Sequence, residues 1–192
     1  MNESFLSNNT TDNSIVSKET EINSSYESQT SAMTDLKNQI INSISLSLNK
    51  IIKSNKASGK CPKQDIFYLG FIPPISLSEY IKNLMKYSNM DISSLITSII
   101  YIDRFCDKNN YYLTQNNIFR ILLSACLLSI KFNEDITVNY KTYSEIACVS
   151  VEDLKNLEFY MYLKLHFSLK VKYDLYKSYY TYFANYSVKK KD

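Results

Sequence analysis

Apolar residues recur at helical spacing along most of this chain, and the pattern is clearest from residue 77 onward. Its centre is Ile121-Leu-Leu-Ser-Ala-Cys-Leu-Leu-Ser-Ile130, apolar nearly all round. A helix without a polar face belongs in the middle of a bundle, so this segment predicts a central helix wrapped by others. It starts after Thr114, a residue of capping type, and runs to about 132. The flanking stripes are one-sided. Tyr80, Ile81, Leu84, Met85 and Tyr87 predict a helix over about 77–88. Ile92, Leu95, Ile96, Ile99, Ile100 and Phe105 predict another over about 91–107, with Asp91 as N-cap. A short helix is expected over about 140–148, and one over about 151–165 on the stripe Leu154, Leu157, Met161 and Leu165. Ser150 with Asp153 opens the latter as a variant capping box. A tyrosine-rich helix over about 171–186 carries Tyr173, Tyr176, Tyr179, Tyr180 and Phe183.

Upstream, Leu36, Ile40, Ile41, Ile44, Leu48, Ile51 and Ile52 mark an accessory helix over 34–54. It either packs on the main domain or swaps onto a partner. Both glycines (Gly59, Gly70) and all three prolines (Pro62, Pro73, Pro74) fall within 55–74, which reads as a linker. Residues 1–33 are rich in Ser, Asn, Thr and Glu, bury too little apolar surface to offset their ordering entropy, and read as a disordered tail. The expected organisation is all-α: tail 1–33, accessory helix 34–54, linker 55–74, main domain 75–170, and a C-terminal helix with a basic tail over 171–192.

Composition narrows the function classes. At 192 residues and 45% hydrophobic, the chain fits one domain plus appendages. No apolar run reaches membrane-spanning length. The N-terminus is polar from the third residue, so no secretory signal is expected and cytoplasm or nucleus is the default. Net charge is +3 with only two arginines, Arg104 and Arg120, too few for a dense nucleic-acid-binding face. The four cysteines are scattered and there is one histidine, so no metal site or cofactor is expected. Cys106, Cys126 and Cys148 read as small buried hydrophobes. His166 has no partners grouped for acid–base or nucleophilic work, and two separated glycines make no phosphate loop. The chain therefore does not read as an enzyme.

Several segments in order carry a family resemblance: Tyr101-Ile-Asp-Arg-Phe105, Leu113-Thr-Gln-Asn-Asn-Ile-Phe-Arg120, Ser129-Ile-Lys-Phe-Asn-Glu-Asp135, Leu154-Lys-Asn-Leu-Glu158 and Leu165-His-Phe-Ser-Leu169. Together they resemble a cyclin box, most closely the single-box plant U/P-type and fungal phosphate-sensing (PHO-type) cyclins. The resemblance implies a five-helix box over about 75–170, flanked by the accessory and C-terminal helices. It also implies a regulatory subunit that forms a heterodimer with a cyclin-dependent protein kinase and activates it, with no nucleic acid, membrane or small-molecule substrate as partner. The alternative is a cyclin-fold scaffold or transcription-associated binding protein that activates no kinase.

In cyclins a lysine ending the third box helix and a glutamate in the fifth form the polar centre of the kinase-binding face. Lys131 and Glu158 match those positions, and Phe132, Tyr162, Phe167 and Leu169 match the apolar contacts around them. The bland reading is that both charges are ordinary solvated helix residues. Periodicity places Glu158 and Tyr162 on the shoulder of the apolar stripe, where a lone carboxylate would be costly. The family also buries an aspartate, matched by Asp103, against an arginine of the first box helix. Only Lys82 and Lys86 are present there, so the partner of Asp103 is either lysine or absent. The longer cyclins' substrate-docking run is not matched by Ser78–Met85. Arg104 and Arg120 match basic positions of the single-box group, as partner contacts or as donors to loop carbonyls. Glu134-Asp135 reads as a turn that the family also uses near the kinase face. The tyrosine stripe either packs back onto the domain or stacks on bases. Lys189–Lys191 reads as a solvated tail.

Overall fold

The computed structural model describes residues 12–60, 64–135 and 138–186, with side chains from residue 29 onward. It divides into two units, Met1–Asn38 and Gln39–Asp192. The described residues form seven helices: α1 (Asp12–Ala57), α2 (Leu77–Ser88), α3 (Ile92–Asn109), α4 (Ile118–Asn133), α5 (Tyr140–Ala147), α6 (Val151–Lys164) and α7 (Tyr173–Asn185). Among the described residues there is no strand, so the chain is all-α.

In the first unit, residues 12–38 are helical and 29–38 are exposed. Residues 12–33 had read as a disordered tail. They hold neither glycine nor proline, and extending a formed helix adds one hydrogen bond per residue fixed. Residues 1–11 and the basic tail from 187 lie outside the described residues.

In the second unit every α4 residue from Ile118 to Ile130 except Arg120 is buried. α4 packs on α3, α6 and α2; α5 bridges α2 and α6; α7 lies on α3. Small side chains let α3 and α4 approach: the Ser129 hydroxyl donates to the Ser94 carbonyl at 2.8 Å, and Cys126 faces Ser98. Ile40, Ile41, Ile44, Leu48 and Ile52 of α1 join the same core, whereas Ile51 of the expected stripe is exposed. The linker is more than a spacer. Phe67 is fully buried, edge-on to Phe105 (5.5 Å) and Tyr160 (5.4 Å), and Leu69 exchanges bonds with Asn116.

Helix ends follow local chemistry. The Ser150 hydroxyl accepts from the Asp153 N–H at 3.0 Å and donates to the Asp153 carboxylate at 2.8 Å. Asp91 occupies the N-cap of α3 without a side-chain capping bond; its own N–H donates to Glu134 at 3.2 Å. α4 starts later than Thr114 suggests. Asn117 is its N-cap, and the Thr114 hydroxyl is buried without a partner. α1 ends in a left-handed Gly59, with Lys60 N–H on the Asn55 carbonyl, the Schellman geometry. Beyond Gly70 the chain has no glycine, and the same left-handed stop is made by Asn89, Asn110, Cys148 and His166. Cys148 is exposed at such a stop, against the expectation that it is buried. Cys126 is buried and Cys106 half-buried, and both thiols are pushed up to about 12, chiefly by burial.

Candidate partner-binding face

Lys131 stands in the last turn of α4 and Glu158 in the middle of α6. Because α4 and α6 pack side by side, the two side chains meet: Lys131 Nζ lies 2.6 Å from Glu158 Oε1. This is the one ion pair among the described residues. The carboxylate side is nearly covered at 10% exposure, and the ammonium side is open at 37%. The Tyr140 hydroxyl closes the group, donating to Glu158 Oε2 at 2.6 Å and accepting from Lys131. Lys131 also lies over the Tyr140 ring, 4.6 Å from its centroid, with Lys155 at 5.6 Å. Burial pulls the Lys131 ammonium down, but the hydrogen bonds and charge of Glu158 and Tyr140 outweigh it and hold its pKa above the usual value. Burial, then the Glu158 carboxylate, holds the Tyr140 hydroxyl above its usual value as well.

Apolar side chains flank this centre. Phe132 follows Lys131 and is 53% exposed. Tyr162 lies one turn beyond Glu158 and meets Phe167 edge-on at 4.9 Å. Phe167 is 57% exposed, with Phe159 and Leu163 also exposed on α6. Phe167 and His166 both hold left-handed backbone, φ 58° and 54°.

The segment after α6 is fixed from α3. Lys108 donates to the Leu165 carbonyl and Asn109 to that of Lys164. Tyr101 donates to Leu169 at 2.8 Å, and Arg104 to Lys170 at 3.1 Å and Ser168 at 3.4 Å. Arg120 donates likewise to the Ile66 carbonyl at 2.8 Å, so both arginines bond loop carbonyls.

Two expectations need correction. Leu169, expected among the apolar contacts around the pair, is in the core at 8% exposure: Tyr101 bonds its carbonyl and Arg104 bonds those of Ser168 and Lys170, which holds this stretch against α3. Asp103 is neither buried nor paired with Lys82 or Lys86. Both lysines face outward on α2, and Asp103 accepts the Tyr179 hydroxyl of α7 at 2.5 Å. Sequence reasoning missed Tyr140. The only signal was Asn139, whose side chain caps α5 by accepting from Lys141 and Thr142 and so sets Tyr140 in the first turn. Among the described residues no three His, Cys, Asp or Glu side chains cluster to hold a metal.

The cyclin family model matches residues 6–169. Curated relatives include Cyclin-U2-1 of Arabidopsis thaliana, 25% identical over 65% of this chain, and Cyclin-U2-2 of the same plant, 26% identical over 81%. Cyclin-P3-1 of Oryza sativa subsp. japonica is 26% identical over 67%. The chain covers 57%, 70% and 53% of those relatives' own lengths. A family match ending at residue 169 takes in every helix through α6, so this chain belongs to the cyclin family and carries a single cyclin box.

Proposed function

We propose that this chain is a regulatory subunit, acting in cytosol or nucleus, that binds and activates a cyclin-dependent protein kinase through the face centred on Lys131 and Glu158. The observation that carries the reading is the covered carboxylate held by a half-open lysine, with Phe132 and Tyr162 on the same two helices and Phe167 just beyond α6. Exposed aromatic rings beside a covered carboxylate and its half-open lysine suit an interface hot spot that a partner would close off from water. The mechanism is a population shift. A kinase is active only when the lysine of its third strand pairs with a glutamate on a mobile helix. A rigid surface that touches only the inward position of that helix favours it by the difference in contact energy. The chain itself transfers no group.

The test is co-expression of the full chain with a panel of cyclin-dependent kinases, followed by co-purification and a phosphorylation assay. The reading expects one kinase to co-purify and gain activity, and Phe132→Ala with Phe167→Ala to remove both. A kinase that co-purifies without gaining activity would leave a scaffold instead. Failure of every kinase to bind would reject the reading.

A further inference from the structure

A cavity of about 480 Å³ opens between α1, α3 and α7, and none of the residues of the Lys131–Glu158 face lines it. Its body is apolar, with Ile44 and Ile51 from α1, Ile102 from α3 and Phe183 from α7. The polar groups around it are tyrosine and serine hydroxyls, the Asn55 amide and one carboxylate. The Asp103 carboxylate lines it, is exposed, and belongs to no ion pair among the described residues. Its Oδ2 takes the Tyr179 hydroxyl, which leaves Oδ1 and further lone pairs for a second donor. Asn55 gives its amide N–H to the Leu113 carbonyl, so its own carbonyl oxygen remains an acceptor. The Ser47 hydroxyl, also in the wall, is buried without a partner.

We propose that this cavity binds a small molecule with an apolar body and a protonated amine at one end. The body lies against the isoleucines and Phe183, and the ammonium bonds Asp103. Volume and lining fit the usual small-molecule site, apolar with few placed polar groups. The sign of the ligand follows from Asp103: a charge-assisted bond rewards a cation, a neutral head gains less, and a carboxylate is repelled. Tyr179 holds the acid in one orientation, which favours a directed contact. The ligand is held rather than turned over, and it would tie α1 and α7 to α3.

The test uses the full chain with isoleucine methyls labelled for NMR, and three probes of one shape: 4-phenylbutylamine, 4-phenylbutanol and 4-phenylbutyrate. The amine is expected to give saturable shifts at Ile44, Ile51 and Ile102, while Ile118 and Ile130 inside α4 stay still. Its affinity should exceed the alcohol's by about tenfold, with the carboxylate weakest. Asp103→Asn keeps an acceptor for Tyr179. It should bring the amine down to the alcohol's affinity and leave the alcohol unchanged. Equal affinity of amine and alcohol, an amine affinity unaffected by Asp103→Asn, or no saturable shift from any probe up to its solubility limit would each overturn the proposal. None of these readouts involves a kinase, so they stand apart from the test of the proposed function.

Discussion

Replacing Tyr140 with Phe removes one oxygen atom and isolates what holds the Lys131–Glu158 pair. In the folded chain that oxygen donates to Glu158 Oε2 at 2.6 Å and accepts from Lys131. The ring stays, so its packing and the cation above it at 4.6 Å are retained. A hydrogen bond to a charged group is worth about 1.5–3 kcal/mol net. Tyr140 is half-buried, so water can reach part of the freed carboxylate, and the lower end applies: a loss of about 1.5 kcal/mol. Urea denaturation of Tyr140→Phe and wild type at neutral pH reads this as a lower midpoint at unchanged slope. A double-mutant cycle with Lys131→Met should show coupling, because both side chains bond the same carboxylate. A loss within about 0.5 kcal/mol, the scatter of neutral surface changes, would refute the claim that Tyr140 closes the group.

Ser150→Ala should cost about 1 kcal/mol in the same assay, since its hydroxyl is the side-chain cap of α6. At position 167 glycine should be more stable than alanine by about 0.5–1 kcal/mol, because φ there is left-handed; the reverse order in urea midpoints would contradict the geometry. Stability should fall in alkali. The Cys106 and Cys126 thiols rise from 9.0 to about 12, and Lys131 and Tyr140 are raised from 10.5 and 10.0. Each raised group binds its proton more tightly when folded, so its contribution is complete below the unfolded value and is lost as pH climbs toward the folded one. Urea midpoints should therefore hold to about pH 9 and drop above it, and a level profile to about pH 11 would contradict the burial of the two thiols and the bonding of Lys131 and Tyr140 to Glu158.

Much of the fold was legible because helical spacing repeats without interruption. The all-round apolar run at 121–130 announced the central helix, and Ser150 with Asp153 announced the start of α6. Helix ends were harder. With no glycine beyond 70, the stops fall to Asn89, Asn110, Cys148 and His166, residues that only sometimes turn left-handed. Phe67 looked like part of a spacer because one buried ring makes no periodic pattern. The candidate site divided in the same way. Lys131 and Glu158 could be named from a resemblance, and the structure brings them together. Tyr140 depends on a contact between α5 and α6, which no linear pattern encodes. Asp103 could be named but not paired, since its partner Tyr179 lies 76 positions along the chain on α7.

The most direct measurement is kinase activation by wild type against Lys131→Glu, with the fold of the variant checked by circular dichroism. Charge reversal sets two carboxylates where one pair stood, and the open side of Lys131 lets the new side chain turn to water. Breaking a desolvated charge contact at an interface costs about 2–5 kcal/mol. The account predicts a folded variant that neither binds nor activates the kinase that the wild type activates. Full activation by folded Lys131→Glu would contradict it.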